Sequence, residues 1–214
     1  MPPVVSIVGK SKSGKTTLLE KLIPELKSRG YRVASIKHTH RNISIPESDK
    51  DGDRHLKAGS EASLVSTPDR LYLVKPVTQE LNLEQVARII GEDYDIILAE
   101  GFKDDDAPKI EVHRRENAPP LKDVKKLFAV ATDETLDTKV RQFSLEDTKG
   151  IADLIEEGFI EPQKERLSLM VNDVPIPLNK FTGEFFAGAL LGMTNTLKGV
   201  GKIKTLKIFL KKEA

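Results

Sequence analysis

The stretch VGKSKSGKTTL, residues 8–18, directly follows the apolar run Val4, Val5, Ser6, Ile7. It fits the pattern GxxxxGKT: Gly9, four residues, then Gly14, Lys15 and Thr16. Glycines at the two fixed positions let the backbone take positive φ and come close to a ligand. The amides between them can then turn inward at a helix N-terminus, where unsatisfied donors and the helix dipole both favour a polyphosphate. Lys15 is suited to bridging β- and γ-phosphates, and Thr16 offers a hydroxyl to Mg²⁺. A glycine-rich turn that merely exposed lysines to water would need neither the apolar strand before it nor the amphipathic helix after it.

Outward from this loop, short apolar runs alternate with helical patterns, which predicts parallel strands joined by helices. We expect a strand over 4–8, a helix over 15–28, and further strands over 32–36, 62–66, 70–74, 96–99, 110–113 and 127–131, with a polar stretch from His38 to about Asp53. Leu18, Leu19, Leu22, Ile23 and Leu26 give the first helix one face to bury. Pro24 predicts a kink or an earlier end there. Ser144 is placed to cap a helix running to about Glu157, with Gly158 just past its end. The polar break EPQKER, residues 161–166, marks a boundary. Beyond it we expect strands over 167–171 and 174–177, a helix within 180–198 and a last strand over 204–210. The expected architecture is α/β: a P-loop NTPase domain over residues 1–162, with a mainly parallel sheet flanked by helices, and a small C-terminal α+β appendage over 166–214.

The 34 Lys and Arg nearly cancel 33 Asp and Glu, leaving a net charge of +1. Bulk electrostatics therefore gives no reason to expect nucleic acid or an anionic membrane as partner, and any anion must be bound locally. The absence of cysteine excludes disulfides, cysteine-ligated metal centres and a thiol nucleophile, and fits a reducing, cytoplasmic setting. MPPVV at the start does not read as a secretory signal. The run 181–200 is interrupted by Glu184, Thr194, Asn195 and Lys198, so a packed helix is expected there rather than a membrane span.

A P-loop domain also needs a carboxylate at the end of a second buried strand. YDIILAEGF supplies Glu100 after Ile96–Ala99. Glutamate is longer than the usual aspartate, so contact with Mg²⁺ through water or directly are both open.

Taken together, GKSKSGKTTLLEKLI (9–23), VASIKHTH (33–40), KDGDRHLKAG (50–59) and ILAEGFKDDDAPKIEVHR (97–114) resemble one family, the molybdopterin-guanine dinucleotide biosynthesis protein B, or MobB, over residues 4–133. The resemblance implies a weakly hydrolysing GTP-binding adapter in molybdenum cofactor biosynthesis that assists conversion of molybdopterin to molybdopterin guanine dinucleotide. It implies that Gly9, Lys10, Ser11, Lys12, Ser13, Gly14, Lys15, Thr16 and Thr17 bind the nucleotide, and that Thr16, Asp51 and Glu100 cluster near Mg²⁺. Asp51 matches the aspartate of the family's KD motif, but Gly52 stands where a serine is usual. Lys10 coincides with the extra lysine of MinD-like loops, although Ser11 and Lys12 replace the glycines that follow it there. The expected partners are a molybdopterin guanylyltransferase, a molybdopterin-type cofactor and a second copy of the chain. A P-loop kinase of a small metabolite and a metal-chaperone GTPase are the competing readings.

Several residues stay open between roles. His38 and His40 follow the second strand and suit either ligand contact or a hydrogen-bonded loop. Zinc is poorly supported, since His55 and His113 lack metal spacing. Lys103, Lys109, Arg114 and Arg115 could meet an anion or form a mixed solvated face with Asp104–Asp106. Asp133 stands where related proteins read the base, without a full NKxD motif. No residue is assigned as catalytic: no water-positioning glutamine or arginine finger is evident, Arg41 and Arg54 remaining possible, and slow hydrolysis follows. Gly188 and Gly192 form a GxxxG step that permits close helix approach, within the chain or between copies.

Overall fold

The computed structural model describes residues 1–39, 50–117, 119–163, 167–172 and 174–210. The chain divides into two compact units, Met1–Lys164 and Glu165–Ala214.

In the first unit six strands form one sheet: β1 (Val4–Val8), β2 (Val33–Lys37), β5 (Ile96–Glu100), β6 (Lys109–His113), β7 (Leu127–Thr132) and β8 (Arg141–Ser144). Their spatial order is β2-β5-β1-β6-β7-β8, and every neighbouring pair is parallel. The chain leaves β1 toward one side and later crosses to the other, so β1 lies between β5 and β6. Such a reversal opens a crevice at the C-terminal strand ends, where open α/β sheets bind ligands. β5 buries both faces: Ile96 and Leu98 join one core cluster, Ile97 and Ala99 the other. That explains its uninterrupted apolar run.

The larger cluster packs Val5, Ile7, Ile110 and Val112 against α1 (Lys15–Ser28) and α4 (Thr148–Ile155). The smaller sets Ala34 and Ile36 of β2 against Leu83 and Ala87 of α3 (Leu83–Ile90). A capping box starts α3, Asn82 accepting from Gln85 N–H and the Gln85 side chain from Asn82 N–H.

Several expectations need correction. α1 runs through Pro24. Glu20 and Pro24 are both exposed, so the carbonyl that loses its donor is on the water side and the helix need not end. Residues 63–66 and 71–74 are strands, β3 (Ser63–Ser66) and β4 (Leu71–Val74), but they pair with each other antiparallel outside the main sheet. The Pro68-Asp69 turn between them leaves no room for a crossover. The polar stretch after β2 gives way to α2 (Lys50–Lys57). Ser144 ends β8 instead of capping a helix; Asp147 caps α4 by accepting from Gly150 N–H at 2.9 Å. Nor does Gly158 stop α4. A π-helical turn, Glu156–Ile160, continues it because Ile160 is buried in the core and the Phe159 ring lies 4.9 Å from Phe128.

The second unit contains a hairpin of β9 (Leu169–Val171) and β10 (Val174–Ile176), then α5 (Lys180–Asn195) capped by Asn179. The strand expected over 204–210 is absent among the described residues, and Phe209 is 90% exposed. Alternation alone does not make a strand without a neighbour to pair with. No helix among the described residues is long and apolar enough to cross a membrane.

Candidate functional site

The turn between β1 and α1 is shaped by its glycines. Gly9 has φ 147°, and a β-carbon there would lie 2.3 Å from the Val112 carbonyl oxygen of β6. Gly14 caps α1 at φ 100°. Ser13 is 1% exposed and its hydroxyl has no hydrogen-bond partner. An orphaned buried hydroxyl is costly unless a ligand meets it, so a phosphate oxygen fits this interior.

Lys15 draws the turn closed, its ammonium donating to the carbonyls of Gly9 at 3.0 Å and Lys10 at 2.8 Å. Burial lowers its pKa, Glu100 opposes that shift and Lys37 reinforces it. Thr16 donates its hydroxyl to Glu100 Oε2 at 2.9 Å, and Lys37 Nζ stands 3.5 Å from the same oxygen. The N-terminus of α1 and the C-terminal ends of β2 and β5 thus deliver an alcohol, a carboxylate and two ammonium groups to one place. Gly101 at φ 106° turns the chain away just after Glu100, its amide donating to Ile7 O at 3.0 Å.

Asp51 falls in a different pair: it lies in the first turn of α2, 3.1 Å from Arg54. Among the described residues there is no cluster of three or more His, Cys, Asp or Glu side chains able to hold a metal. His38 packs 4.5 Å from the Phe102 ring and lies 3.3 Å from Glu80, while His40 and Arg41 fall outside the described residues. Asp133 accepts from Arg115 N–H at 2.8 Å, and that bond lowers its pKa. Lys109 is fully buried and so cannot belong to a solvated basic face.

Arg114 is the contact that spacing did not reveal. Its guanidinium Nε donates to Ser13 O at 3.2 Å and would lie 3.4 Å from a β-carbon at Gly14. Position alone could have suggested it, since Arg114 follows β6 at the strand end that faces the loop. Asn117 adds a long contact to Ser11 O at 3.5 Å.

Residues 4–133 match the family model of molybdopterin guanine dinucleotide synthesis protein B, MobB. The molybdopterin-guanine dinucleotide biosynthesis adapter protein of Haemophilus influenzae is 39% identical over 159 residues, covering 72% of this chain and 88% of its own. A putative adapter protein of the same description from Methanocaldococcus jannaschii is 24% identical, with 96% of each chain covered. The crystal structure of molybdopterin-guanine biosynthesis protein B superimposes with TM-score 0.58 at 27% identity, over 72% of this chain and 97% of that one.

Proposed function

The chain belongs to the MobB family, and on that premise we propose that it is a GTP-binding adapter in molybdenum cofactor biosynthesis, assisting conversion of molybdopterin to molybdopterin guanine dinucleotide. The observation that carries the nucleotide part is the Thr16–Glu100 hydrogen bond of 2.9 Å at the foot of a phosphate loop closed by Lys15. In this reading the amides of the loop and of the first turn of α1, Gly9 to Thr17, hold the phosphates, and the Ser13 hydroxyl turns to one of their oxygens. Lys15 exchanges its two carbonyl partners for phosphate oxygens.

The Thr16 hydroxyl and Glu100 carboxylate suit Mg²⁺, a hard cation that takes one or two protein oxygens and fills its other positions with water and phosphate. They are the residues that would hold it. When bound, the ion neutralises charge on the β- and γ-phosphates. Asp51 enters the proposed set by resemblance alone. Guanine is read by resemblance also, with Asp133, just past β7, the carboxylate candidate. Slow turnover is expected because the sequence offers no evident water-positioning glutamine or arginine finger; of the two arginines considered for that role, Arg54 pairs with Asp51 and Arg41 lies outside the described residues. The proposed partners are a molybdopterin guanylyltransferase, a molybdopterin-type cofactor and a second copy of the chain.

Calorimetric titration of GTP and ATP, with and without Mg²⁺, tests the reading in the wild type and in Lys15→Ala. Wild type should bind GTP more tightly than ATP and depend on Mg²⁺. Loss of a charged hydrogen-bond donor should weaken GTP in the variant by at least about 10-fold. Unchanged GTP affinity in Lys15→Ala would refute the assignment.

A further inference from the structure

The near-zero charge of the chain hides an uneven split. Residues 165–214 hold eight Lys and Arg against four Asp and Glu, so the second unit carries +4 and residues 1–164 carry −3. Residues 185–212 contain six lysines and no carboxylate at all. An imbalance of that kind between two parts of a chain points to an anionic surface as partner. The unit also lies beyond residues 4–133, the part that matches the family model, so the family likeness does not account for it.

The same unit has no core of its own. None of its described residues is buried, and α5, the helix expected to pack, is no exception. Thr182, Ala187 and Leu190 are half-covered on one side of α5. On the opposite side Phe181 is 75% and Phe185 65% exposed, their rings stacked with centroids 6.5 Å apart. Gly188 and Gly192 continue that face at helical spacing, and a β-carbon at either would meet nothing within 4 Å. The GxxxG step therefore packs on no described part of the chain. Past the helix, exposed Leu197, Ile208 and Phe209 are interleaved with exposed Lys198, Lys202 and Lys204.

A helix that is apolar on nearly every side belongs in a core or in lipid. The sixteen residues of α5 rise about 24 Å, short of the roughly 30 Å of a bilayer's hydrocarbon layer. It can lie along a membrane but not cross one. The lysines decide the occupant. Two copies meeting through this face would set like charges together with no carboxylate to answer them. Nucleic acid would answer the lysines and leave Leu197, Ile208 and Leu210 in water. An anionic bilayer answers both, its headgroups taking the ammonium groups and its acyl boundary the rings and aliphatic side chains.

We propose that the second unit is a membrane-surface module, with the phenylalanine face of α5 seated at the headgroup boundary of an anionic bilayer and the lysines that follow it held by the headgroups. The inference goes beyond the adapter reading and does not depend on it.

The full chain is mixed with vesicles of phosphatidylcholine alone, or with about one third phosphatidylglycerol, and the bound fraction is measured by sedimentation at low and high salt. GTP affinity and oligomeric state are measured on the same samples. Binding to the anionic vesicles is expected to be about 100-fold tighter than to the neutral ones, and to lose most of that margin at about 0.5 M salt. Lys198→Gln/Lys202→Gln/Lys204→Gln should weaken anionic binding by at least about 10-fold. Phe181→Ser/Phe185→Ser should do the same, and should keep GTP affinity within about 2-fold because both rings are already exposed. Equal binding to the two vesicle types, binding to neither, or undiminished binding by both variants would overturn the module. So would a dimer that ignores vesicles and is broken by the phenylalanine substitutions, which would give the face to a second copy. Anionic vesicle binding by a chain that takes no GTP would uphold the module and overturn the nucleotide assignment alone.

Discussion

Gly9 and Val112 approach so closely that a β-carbon on the glycine would stand 2.3 Å from the valine carbonyl oxygen. The first strand's exit and the fourth sheet position are therefore in backbone contact, with no side chain between them. Gly9→Ala must move one or the other, at a positive φ that alanine also disfavours. Overpacking and backbone strain together should cost about 3 kcal/mol. A thermal melt should show the loss, and GTP binding should fall with it; a variant as stable as wild type would mean that the loop has room to shift.

Thr16 and Glu100 make a second test. If they hold Mg²⁺, Glu100→Gln removes the charge while keeping the shape and the Thr16 hydrogen bond. GTP affinity without the metal should change little, whereas the gain on adding Mg²⁺ should shrink by roughly 10-fold, the order expected for one charged contact. Calorimetry with the metal varied checks this, and an undiminished gain would remove Glu100 from the metal set.

The pH dependence of stability has a definite direction at Glu134. His113 lies 2.6 Å away and Arg115 3.1 Å, and these two hold the Glu134 carboxyl below its ordinary 4.5. A carboxylate depressed on folding stabilises above its unfolded value and loses that stabilisation as pH falls through the folded one. The gap in Tm between wild type and Glu134→Gln should therefore be steady above about pH 5 and narrow below it. Melts at a series of pH values would measure it. A constant gap down to about pH 3 would show that the ionised pair contributes nothing.

Pro24 lies inside α1 on its exposed side. Restoring the amide with Pro24→Ala should stabilise the helix, since interior proline costs about 3 kcal/mol, offset by about 1 kcal/mol from the freer unfolded chain. Chemical denaturation should report a gain near 2 kcal/mol, and a loss would show that α1 is adapted to the ring.

Legibility from residues alone followed the strength of the local signal. The bounds of β1 and α1 were readable because an apolar run, a glycine pattern and a leucine stripe agree there, although Pro24 pointed to a kink or an earlier end that the helix does not have. α3 was missed although Asn82, Gln85 and Gly91 mark its ends, because eight residues give little periodicity to detect. β8, reading Arg-Gln-Phe-Ser, is a polar edge strand whose place comes from pairing with β7. β3 and β4 have the composition of strands, and composition does not say which sheet a strand joins. At the candidate site Lys15, Thr16 and Glu100 were legible by spacing and strand position. The brace from Arg114 onto Ser13 was legible only as a position past the end of β6, because the contact itself depends on how the sheet sets that end against the loop.

Because the sheet is parallel throughout and β1 lies at its centre, Val4 waits for Ile97, and Ser6 for Lys109, before either edge is covered. On a ribosome adding roughly 5–20 residues per second, that is an interval of about 5–20 s during which the opening segment emerges without its eventual neighbours. The nascent polypeptide thus gives its phosphate loop both flanking strands only once about half of the chain has been made. A truncated translation product ending before residue 96 should be captured by chaperones or proteases, whatever nucleotide surrounds it.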